Sequence, residues 1–541
     1  MEGKSSSDHL DSAITVEDAR THGVVLYTDN GTTRKLPVPS SDPNDPLNFS
    51  LWRQRLILTA VCVYGITGFG AIQSTPLFFG KLINEYVQKT HGTFNPSRII
   101  DLASYPSLCM GLGNFFFVPL SMAIGRRAVF ILSSIILLAS MIWAAKSESF
   151  ESHLGARCLQ GLCAGISDCL LPIIVLDISF LNRRSTRLVA YWVFTAVGSS
   201  ILLIPLPFIA DHAGGDWRVS YWFWTGFAAL SLLAIIFCVP ETLFQRQAAQ
   251  LSGQVHVTDS YGTHRAFATV EEARAAGFHV PDESDFESCE KERSYTRQFA
   301  PFQVQKAPHM RFLTAYRDIF LSLLVPGTFW ALAFNSIVFG GVVVLSLTYS
   351  QILEEAPWHF SPSTVGTVQA GAAIGALFGL ALGEMAEPMS RFLARRNHGV
   401  REPEHILPNF IFPAAMSFLG LTLYGVIGSN PEKYNWVGIH AAFALFYFGF
   451  CAISALTAVW LSELLPHMSG PAIVLTCGGR NAVSFGYSHN FSTWIKNVGF
   501  MQTYVTFGGI LFGVACLAIP LYFVNPRIRS VTARIPWLGA H

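Results

Sequence analysis

Long apolar stretches recur along this chain and are separated by short polar segments. Each stretch is about 20 residues long, enough to cross a hydrocarbon core of about 30 Å as an α-helix. Lipid offers the backbone no hydrogen bonds, so such stretches must be helical. The pattern predicts twelve spans, at residues 56–79, 99–121, 127–145, 153–175, 188–210, 218–239, 320–347, 363–383, 406–428, 436–461, 470–494 and 499–524.

A long polar stretch divides the predicted spans into two sets of six. The chain is therefore expected to be an all-α membrane protein with 12 transmembrane helices in two six-helix bundles. Its predicted units are an N-terminal tail (1–55), a first bundle (56–244), a linker (245–318), a second bundle (319–525) and a C-terminal tail (526–541).

The composition fits a membrane protein and excludes several other classes. Hydrophobic residues make up 51% of the 541 residues and charged residues 13%, whereas soluble proteins carry about 25% charged residues. The net charge of +1 argues against a nucleic-acid partner. The polar first 50 residues contain no apolar core of a cleavable signal peptide, so the first span is expected to direct insertion.

The distribution of Lys and Arg predicts the orientation in the membrane. With a cytoplasmic N-terminus, the segments on the cytoplasmic side contain fourteen of these residues and the outside loops contain seven. Cytoplasmic loops carry the excess of basic residues. Both termini and the linker are therefore expected in the cytoplasm of a multi-pass protein.

No pattern for catalysis or for a bound metal is found in the sequence. All cysteines except Cys289 lie in apolar stretches, without CxxC pairs or zinc-ligand spacing. The sequence also lacks a GxSxG nucleophile motif and a GxxxxGK[ST] phosphate loop. We therefore expect no metal, no cofactor, no direct use of ATP and no enzyme activity.

Several segments resemble the major facilitator superfamily, and within it the fungal twelve-span drug:proton antiporter branch, which also contains polyamine and cation transporters. The resemblance extends from about residue 42 to 535. It implies the major facilitator fold and secondary transport. It is carried by Asp45-Pro46-Leu47-Asn48-Phe49-Ser50-Leu51-Trp52, by Asn114–Leu120 with Gly125-Arg126-Arg127, by the RxxQGxxxG pattern of Arg157, Gln160, Gly161 and Gly165, by Pro240-Glu241-Thr242, and by Arg396-Asn397-His398-Gly399-Val400-Arg401-Glu402-Pro403-Glu404.

Ionisable residues inside predicted spans are costly, so each is a candidate functional group. Asp168 lies eleven residues beyond Arg157 in the fourth span, about 16 Å along the helix axis and close to mid-depth. Its carboxyl group is the candidate for coupling proton movement to solute movement. The alternative is an Asp that only hydrogen-bonds a neighbouring helix.

The eleventh span contains Arg480-Asn481, which resembles an Arg-Asn pair of the same branch. A guanidinium at that depth must find a carboxylate or carbonyl groups, because it does not lose its charge. A role in the coupling site and a structural link between the two halves are both open.

Four charged residues form a predicted cytoplasmic gate. Asp177 and Glu241 are expected to hold Arg126 and Arg127 when the cytoplasmic side is closed. The alternative is ordinary anchoring of basic residues at the cytoplasmic surface.

Two other sets of residues are assigned to the membrane interior. Gln73 and Asn335 are the preferred candidates for lining a solute cavity. Glycines recur every fourth residue in the eighth span, which aligns them on one helix face and predicts close approach of another helix. They are Gly371, Gly375, Gly379 and Gly383.

The favoured function is proton-coupled efflux of a small organic compound, such as a drug or a fungal secondary metabolite. The single carboxylate of Asp168 is offset by Arg480, which favours a weakly charged solute. The alternatives are uptake of an organic cation such as a polyamine, and a solute sensor without transport. The expected partners are a small molecule, protons and the lipid bilayer, with a monomer in the plasma membrane.

Overall fold

The computed structural model describes most of the membrane part of the chain. The described residues are 45–244, 308–361, 364–397, 400–465 and 468–532, with 14–15, 24–25, 255–258, 264–267 and Phe299. Most of the predicted tails and linker lies outside the described residues, as do His398 and Gly399 of the family-like signature. The limits of the five predicted units stay predictions.

Six spans build the first bundle, and the short 3-10 helix Pro46–Asn48 precedes them. Several spans consist of two or three helical pieces, joined by 3-10 turns or short breaks. The pieces are Leu51–Ser74, Thr75–Phe78 and Phe79–Lys89; Pro96–Ile100 and Asp101–Ile124; Arg126–Ala145; Phe150–Ala164, Gly165–Ser167 and Leu170–Asp177; Leu181–Leu203 and Leu206–His212; and Arg218–Cys238.

Six more spans build the second bundle, preceded by the separate helix Pro308–Leu323. They are Pro326–Glu354; Val365–Thr367 and Val368–Arg396; Pro403–Phe410 and Ile411–Ser429; Val437–Leu464; Ser469–Val498; and Phe500–Cys516 with Ala518–Thr532.

Among the described residues, ten helices are long and apolar enough to cross a membrane. The eighth and eleventh spans are two further long helices, which brings the number of spans to twelve. The eleventh span is 30 residues long. It is less apolar because it contains Arg480, Asn481 and His489. The predicted all-α fold with two six-helix bundles is confirmed.

Short strands lie outside the spans and belong to the polar segments. Ile14–Thr15, His264–Phe267 and Val255–Thr258 form an antiparallel sheet in that order. Val24–Val25 pairs antiparallel with Val400–Arg401.

The seventh span differs from its predicted limits. The hydropathy pattern placed it at 320–347, whereas the helix begins at Pro326 and ends at Glu354. Val325 before it is extended, with φ −81° and ψ 114°, as expected for a residue that precedes proline. Proline at the first helical position then begins a new helix. The helix Pro308–Leu323 therefore ends before the span and starts within the predicted linker.

The bundles meet along a few pairs of spans. The second span packs on the eleventh, and the fifth packs on the eighth and tenth. Within the most apolar part of each span, 89% of the fourth and 83% of the tenth is buried, but only 28% of the sixth and of the twelfth. The fourth and tenth spans are thus central, and the sixth and twelfth expose apolar side chains to lipid.

Glycine spacing in the eighth span marks a close helix contact. A Cβ atom at Gly371 would lie 2.2 Å from the carbonyl oxygen of His440, and one at Gly375 would lie 1.9 Å from that of Ala444. Both acceptors belong to the tenth span. The close approach predicted from the spacing is found at these two glycines.

We expect Gly375→Ala to destabilise the protein because the added methyl group overlaps the backbone of the tenth span. Overpacking of this kind costs about 1–3 kcal/mol. Gly226→Ala is the matched control, since a Cβ atom at Gly226 in the sixth span has no other heavy atom within 4 Å. The measurement is the thermal unfolding midpoint of both variants in the same detergent. Equal midpoints would contradict the close contact.

Candidate functional site at the interface of the two bundles

The fourth span is interrupted at Asp168. A 3-10 turn at Gly165–Ser167 precedes this residue, and the next helix begins at Leu170. Pro172 has no N–H group to donate to the carbonyl group four residues earlier, which is that of Asp168. The sequence therefore breaks the helix at the position of the buried carboxyl group. Tyr191 of the fifth span steadies the break by donating from its hydroxyl group to the carbonyl oxygen of Ser167 at 2.7 Å.

Asp168 binds two residues of the eleventh span and so connects the two bundles. Arg480 donates from NH2 to Oδ1 of Asp168 at 2.6 Å, and Asn481 donates from Nδ2 to Oδ2 at 2.8 Å. The side chains of Asp168 and Arg480 are 0% and 1% exposed. We call Asp168 and Arg480 the interbundle pair. Asp168, Arg480 and Asn481, which the sequence analysis selected as candidates for proton coupling, are thus in contact. Their role in coupling stays a prediction.

Aromatic rings from both bundles surround Arg480. The guanidinium carbon lies 4.9 Å from the ring centre of Phe339 and 5.5 Å from that of Trp192. Phe450 contacts both rings, with centroids 6.4 Å and 6.0 Å away. Aromatic faces attract cations within about 6 Å. No sequence pattern singles out these rings, because aromatic residues are common throughout the spans.

Several polar atoms next to the interbundle pair are buried without a hydrogen-bond partner. They are Nε of Arg480, Oδ1 of Asn481, Oγ of Ser167 and Nε1 of Trp192. Buried polar groups normally have partners, and each exception needs a cause. A bound solute could satisfy these atoms.

The two predicted cavity residues lie in different surroundings. Gln73 of the first span accepts a 3.5 Å contact from the hydroxyl group of Tyr447 in the tenth span, so it lies between the bundles. Asn335 is 2% exposed. It donates to Oγ1 of Thr457 at 2.8 Å and to the carbonyl oxygen of Ala331 at 3.0 Å, inside the second bundle. Their cavity role stays a prediction.

Arg157 joins three spans of the first bundle through backbone carbonyl groups. It donates to Leu102 at 3.1 Å and to Ile72 at 3.0 Å. Each of these carbonyl groups lacks its helical donor, because Pro106 and Pro76 stand four residues later. The arginine of the RxxQG motif replaces the missing hydrogen bonds.

The other two residues of the motif complete this connection. Gln160 accepts from Arg157 at 2.8 Å and donates to the carbonyl oxygen of Ser140 in the third span at 3.2 Å. A Cβ atom at Gly161 would lie 2.3 Å from the carbonyl oxygen of Pro106. The motif thus packs the second, third and fourth spans together.

Three of the four predicted gate residues meet where the second, fourth and sixth spans end. The guanidinium group of Arg126 contacts the carboxylate of Asp177. Glu241 accepts from the backbone N–H groups of Arg126 at 3.0 Å and Arg127 at 3.2 Å. These N–H groups start the third span, where a negative charge is favourable. Gly125 permits the sharp turn before this helix with φ 101°.

The guanidinium group of Arg127 contacts the end of the sixth span. It donates to the carbonyl oxygens of Ile235 at 3.1 Å and Ile236 at 2.9 Å, and also to that of Val239. The carbonyl group of Ile236 lacks a helical donor because Pro240 follows four residues later. These contacts of Arg126 and Arg127 with carboxylates and carbonyl groups lie within the first bundle. A gating role for the four residues stays a prediction.

Reversing either charge of the Arg126–Asp177 pair is expected to reduce transport, and the swap Arg126→Asp with Asp177→Arg is expected to restore it. The two side chains are 13% and 16% exposed, and a buried group left without its partner costs about 1–3 kcal/mol. Flux in proteoliposomes at matched protein content is the measurement. If the double variant transports no better than the single variants, the contact has no direct role.

Glu404 of the family-like signature anchors the end of the twelfth span. Its side chain is 1% exposed. It accepts from Nδ2 of Asn525 at 2.6 Å and from NH1 of Arg529 at 3.3 Å. Glu404 is therefore a structural residue, because its buried carboxylate holds two donors at the end of the twelfth span.

The comparison with known proteins decides the family. Residues 56–485 match the sequence profile described as Major Facilitator Superfamily. The chain belongs to the major facilitator superfamily. As a member it is a multi-pass membrane transporter and not an enzyme.

Individual relatives of this superfamily member are distant but cover nearly the whole chain. Protein HOL1 of Saccharomyces cerevisiae is 23% identical and covers 98% of this chain and 94% of its own length. Efflux pump radE of Floropilus chiversii is 21% identical and covers 90% of this chain and 84% of its own length. The Escherichia coli transporter XylE has the same fold, with a TM-score of 0.57, 15% identity, and coverage of 88% and 96%.

Proposed function

We propose that this major facilitator transporter exports a small organic compound in exchange for protons, with Asp168 as the coupling group. The observation that carries the proposal is the interbundle pair. One buried carboxylate at a broken helix holds an arginine of the other bundle at 2.6 Å. Any motion that separates the fourth from the eleventh span must first break this contact.

A proton is suited to breaking the contact. Separating a carboxylate from a guanidinium in a nonpolar interior leaves two unpaired charges, which is strongly unfavourable. Protonation of Asp168 removes one charge and weakens the attraction to Arg480. The empty carrier with an ionised Asp168 is therefore held in place, and proton binding releases it. The interbundle pair therefore limits movement of the empty carrier when no proton is bound.

The surroundings of the pair support an organic solute with little net charge. The unpaired atoms of Arg480, Asn481 and Trp192 offer hydrogen-bond donors and an acceptor. The rings of Trp192 and Phe339 offer apolar contact area. The charges of Asp168 and Arg480 cancel, so a strongly charged solute would lack a counter-charge. The relative named as an efflux pump supports export as the direction.

Uptake of an organic cation is the second candidate function, favoured by the rings around Arg480. A guanidinium group already occupies the space within 5.5 Å of both Trp192 and Phe339. A solute cation of similar shape would be attracted to the same rings and would compete with Arg480 for Asp168. This candidate predicts inhibition of transport by guanidinium compounds.

We further propose a monomer in the plasma membrane with both termini and the linker in the cytoplasm. The excess of basic residues in the corresponding loops supports this orientation. The contact of the Phe299 ring with Arg53 and Arg127, at 5.8 Å and 5.0 Å, puts this linker residue at the end where the first span begins.

A flux assay in proteoliposomes tests the proposed function. Fluconazole, ethidium and spermidine serve as a solute without net charge, an aromatic cation and a polycation, each with an imposed pH gradient. Proton antiport accumulates the transported probe in the acidic compartment, whereas proton symport accumulates it in the alkaline one. Protein-free liposomes are the control. Binding of a probe without flux would indicate a solute sensor and contradict the proposal.

A further inference from the structure

Two free thiols lie beside the interbundle pair, one on each bundle. Cys169 directly follows Asp168 in the broken part of the fourth span. Cys477 precedes Arg480 by three residues, about one helical turn, in the eleventh span. Asp168 binds Arg480 one turn after Cys477, so its neighbour Cys169 lies against the same stretch of the eleventh span. Sγ of Cys169 also lies 3.7 Å from the carbonyl oxygen of Ile473, one turn before Cys477.

A second thiol pair provides a contrast within the same protein. Cys109 lies in the second span and Cys158 in the fourth, and these two spans pack on each other. Both belong to the first bundle. A bond between them would leave the two bundles free to move relative to each other, whereas a bond between Cys169 and Cys477 would join them.

We propose that Cys169 and Cys477 form a thiol–disulfide site at which small membrane-permeant oxidants lock the two bundles together. The oxidants are of the diazene or disulfide class. With a diazene, the two S–H bonds break and one S–S bond forms. The N=N bond becomes an N–N single bond that takes up both hydrogen atoms. A thiol reductant reverses the reaction.

The disulfide would act as a lock because its geometry tolerates little movement. A disulfide requires Cα atoms about 4.4–6.8 Å apart, so the fourth and eleventh spans could no longer separate at this point. Unlike the interbundle pair, the covalent link would not be released by a proton. The loss of transport rests on the proposed function; formation of the disulfide and restriction of the bundles do not.

The full-length protein in proteoliposomes is treated with diamide and then with dithiothreitol. Peptide mass spectrometry identifies the disulfides, and hydrogen exchange measured by mass spectrometry reports the motion of the bundles without any solute. We expect a Cys169–Cys477 disulfide, slower exchange in segments of both bundles, and loss of most probe flux. All three changes are expected to reverse with dithiothreitol.

Two variants separate this site from the other thiols. Cys158→Ala retains Cys169 and Cys477, so diamide should still slow exchange and flux. Cys477→Ala retains Cys109 and Cys158, so diamide should leave exchange and flux unchanged. Inhibition that persists in Cys477→Ala, or a Cys169–Cys477 disulfide without slower exchange, overturns the proposal. Slower exchange in a protein that moves no probe before oxidation supports the lock and contradicts the proposed function instead.

Discussion

Asp168→Asn is expected to abolish accumulation of solute driven by a pH gradient while preserving slow movement down a solute gradient. The amide oxygen can accept from Arg480, and the amide nitrogen can donate to Oδ1 of Asn481 once that side chain is reoriented, but the amide cannot take up and release a proton. With one proton per solute, each pH unit drives about tenfold accumulation in the wild type, and this accumulation is lost in the variant. The measurement is probe uptake into proteoliposomes with and without an imposed pH gradient.

Two other variants show whether the carboxyl group itself is required. Asp168→Glu retains an ionisable group and is expected to retain part of the pH-driven accumulation. Asp216→Asn removes a carboxylate at 46% side-chain exposure outside the interface and is expected to behave as the wild type. If Asp168→Asn accumulates the probe as well as the wild type does, Asp168 is not the coupling group.

Removing one member of the interbundle pair is expected to cost about 3–5 kcal/mol of stability, because the other charge is left buried without a partner. The variants are Asp168→Leu and Arg480→Met. The double variant is expected to regain most of the stability, since two apolar side chains can replace a buried ion pair with little loss. Unfolding by denaturant in detergent micelles is the measurement.

The double-mutant cycle distinguishes a direct pair from two independent residues. A direct pair predicts that the loss in the double variant is much smaller than the sum of the single losses. Additive losses would contradict the contact. Accumulation driven by a pH gradient should be lost in all three variants, because none retains both the carboxyl group and its arginine.

Much of the fold follows from the hydropathy pattern. Twelve apolar stretches in two sets of six predict the architecture, and the spacing of Gly371 and Gly375 predicts a close helix contact. The start of the seventh span was wrong by several residues, because the apolar pattern continues through the break before Pro326. The start of the helix is set by Val325, because a residue before proline prefers an extended backbone to a helical one.

The pairing of Asp168 with Arg480 could not be derived from the sequence. Their positions are 312 residues apart, and no periodic pattern fixes the register between the two bundles. The sequence shows only that each charge lies inside a span, where an ionisable residue is energetically costly. This makes both residues candidates for a functional role. Their contact depends on packing between helices that the chain brings together only on folding.

The partners of two arginines were missed although the sequence contains a signal for them. Arg127 and Arg157 bind carbonyl groups that lost their helical donor to a proline four residues later. The same reasoning applied to Pro172 indicates a break at Asp168. Listing the carbonyl group four residues before each proline in a span therefore identifies acceptors that a buried arginine can satisfy.

We propose that Asp168 exchanges Arg480 for a proton. Infrared difference spectroscopy between acidic and neutral pH tests this without any solute, by detecting the carbonyl band of a protonated carboxyl group in the membrane interior. We expect a band in the wild type that appears on acidification and is missing in Asp168→Asn. Identical difference spectra of the two proteins would contradict it.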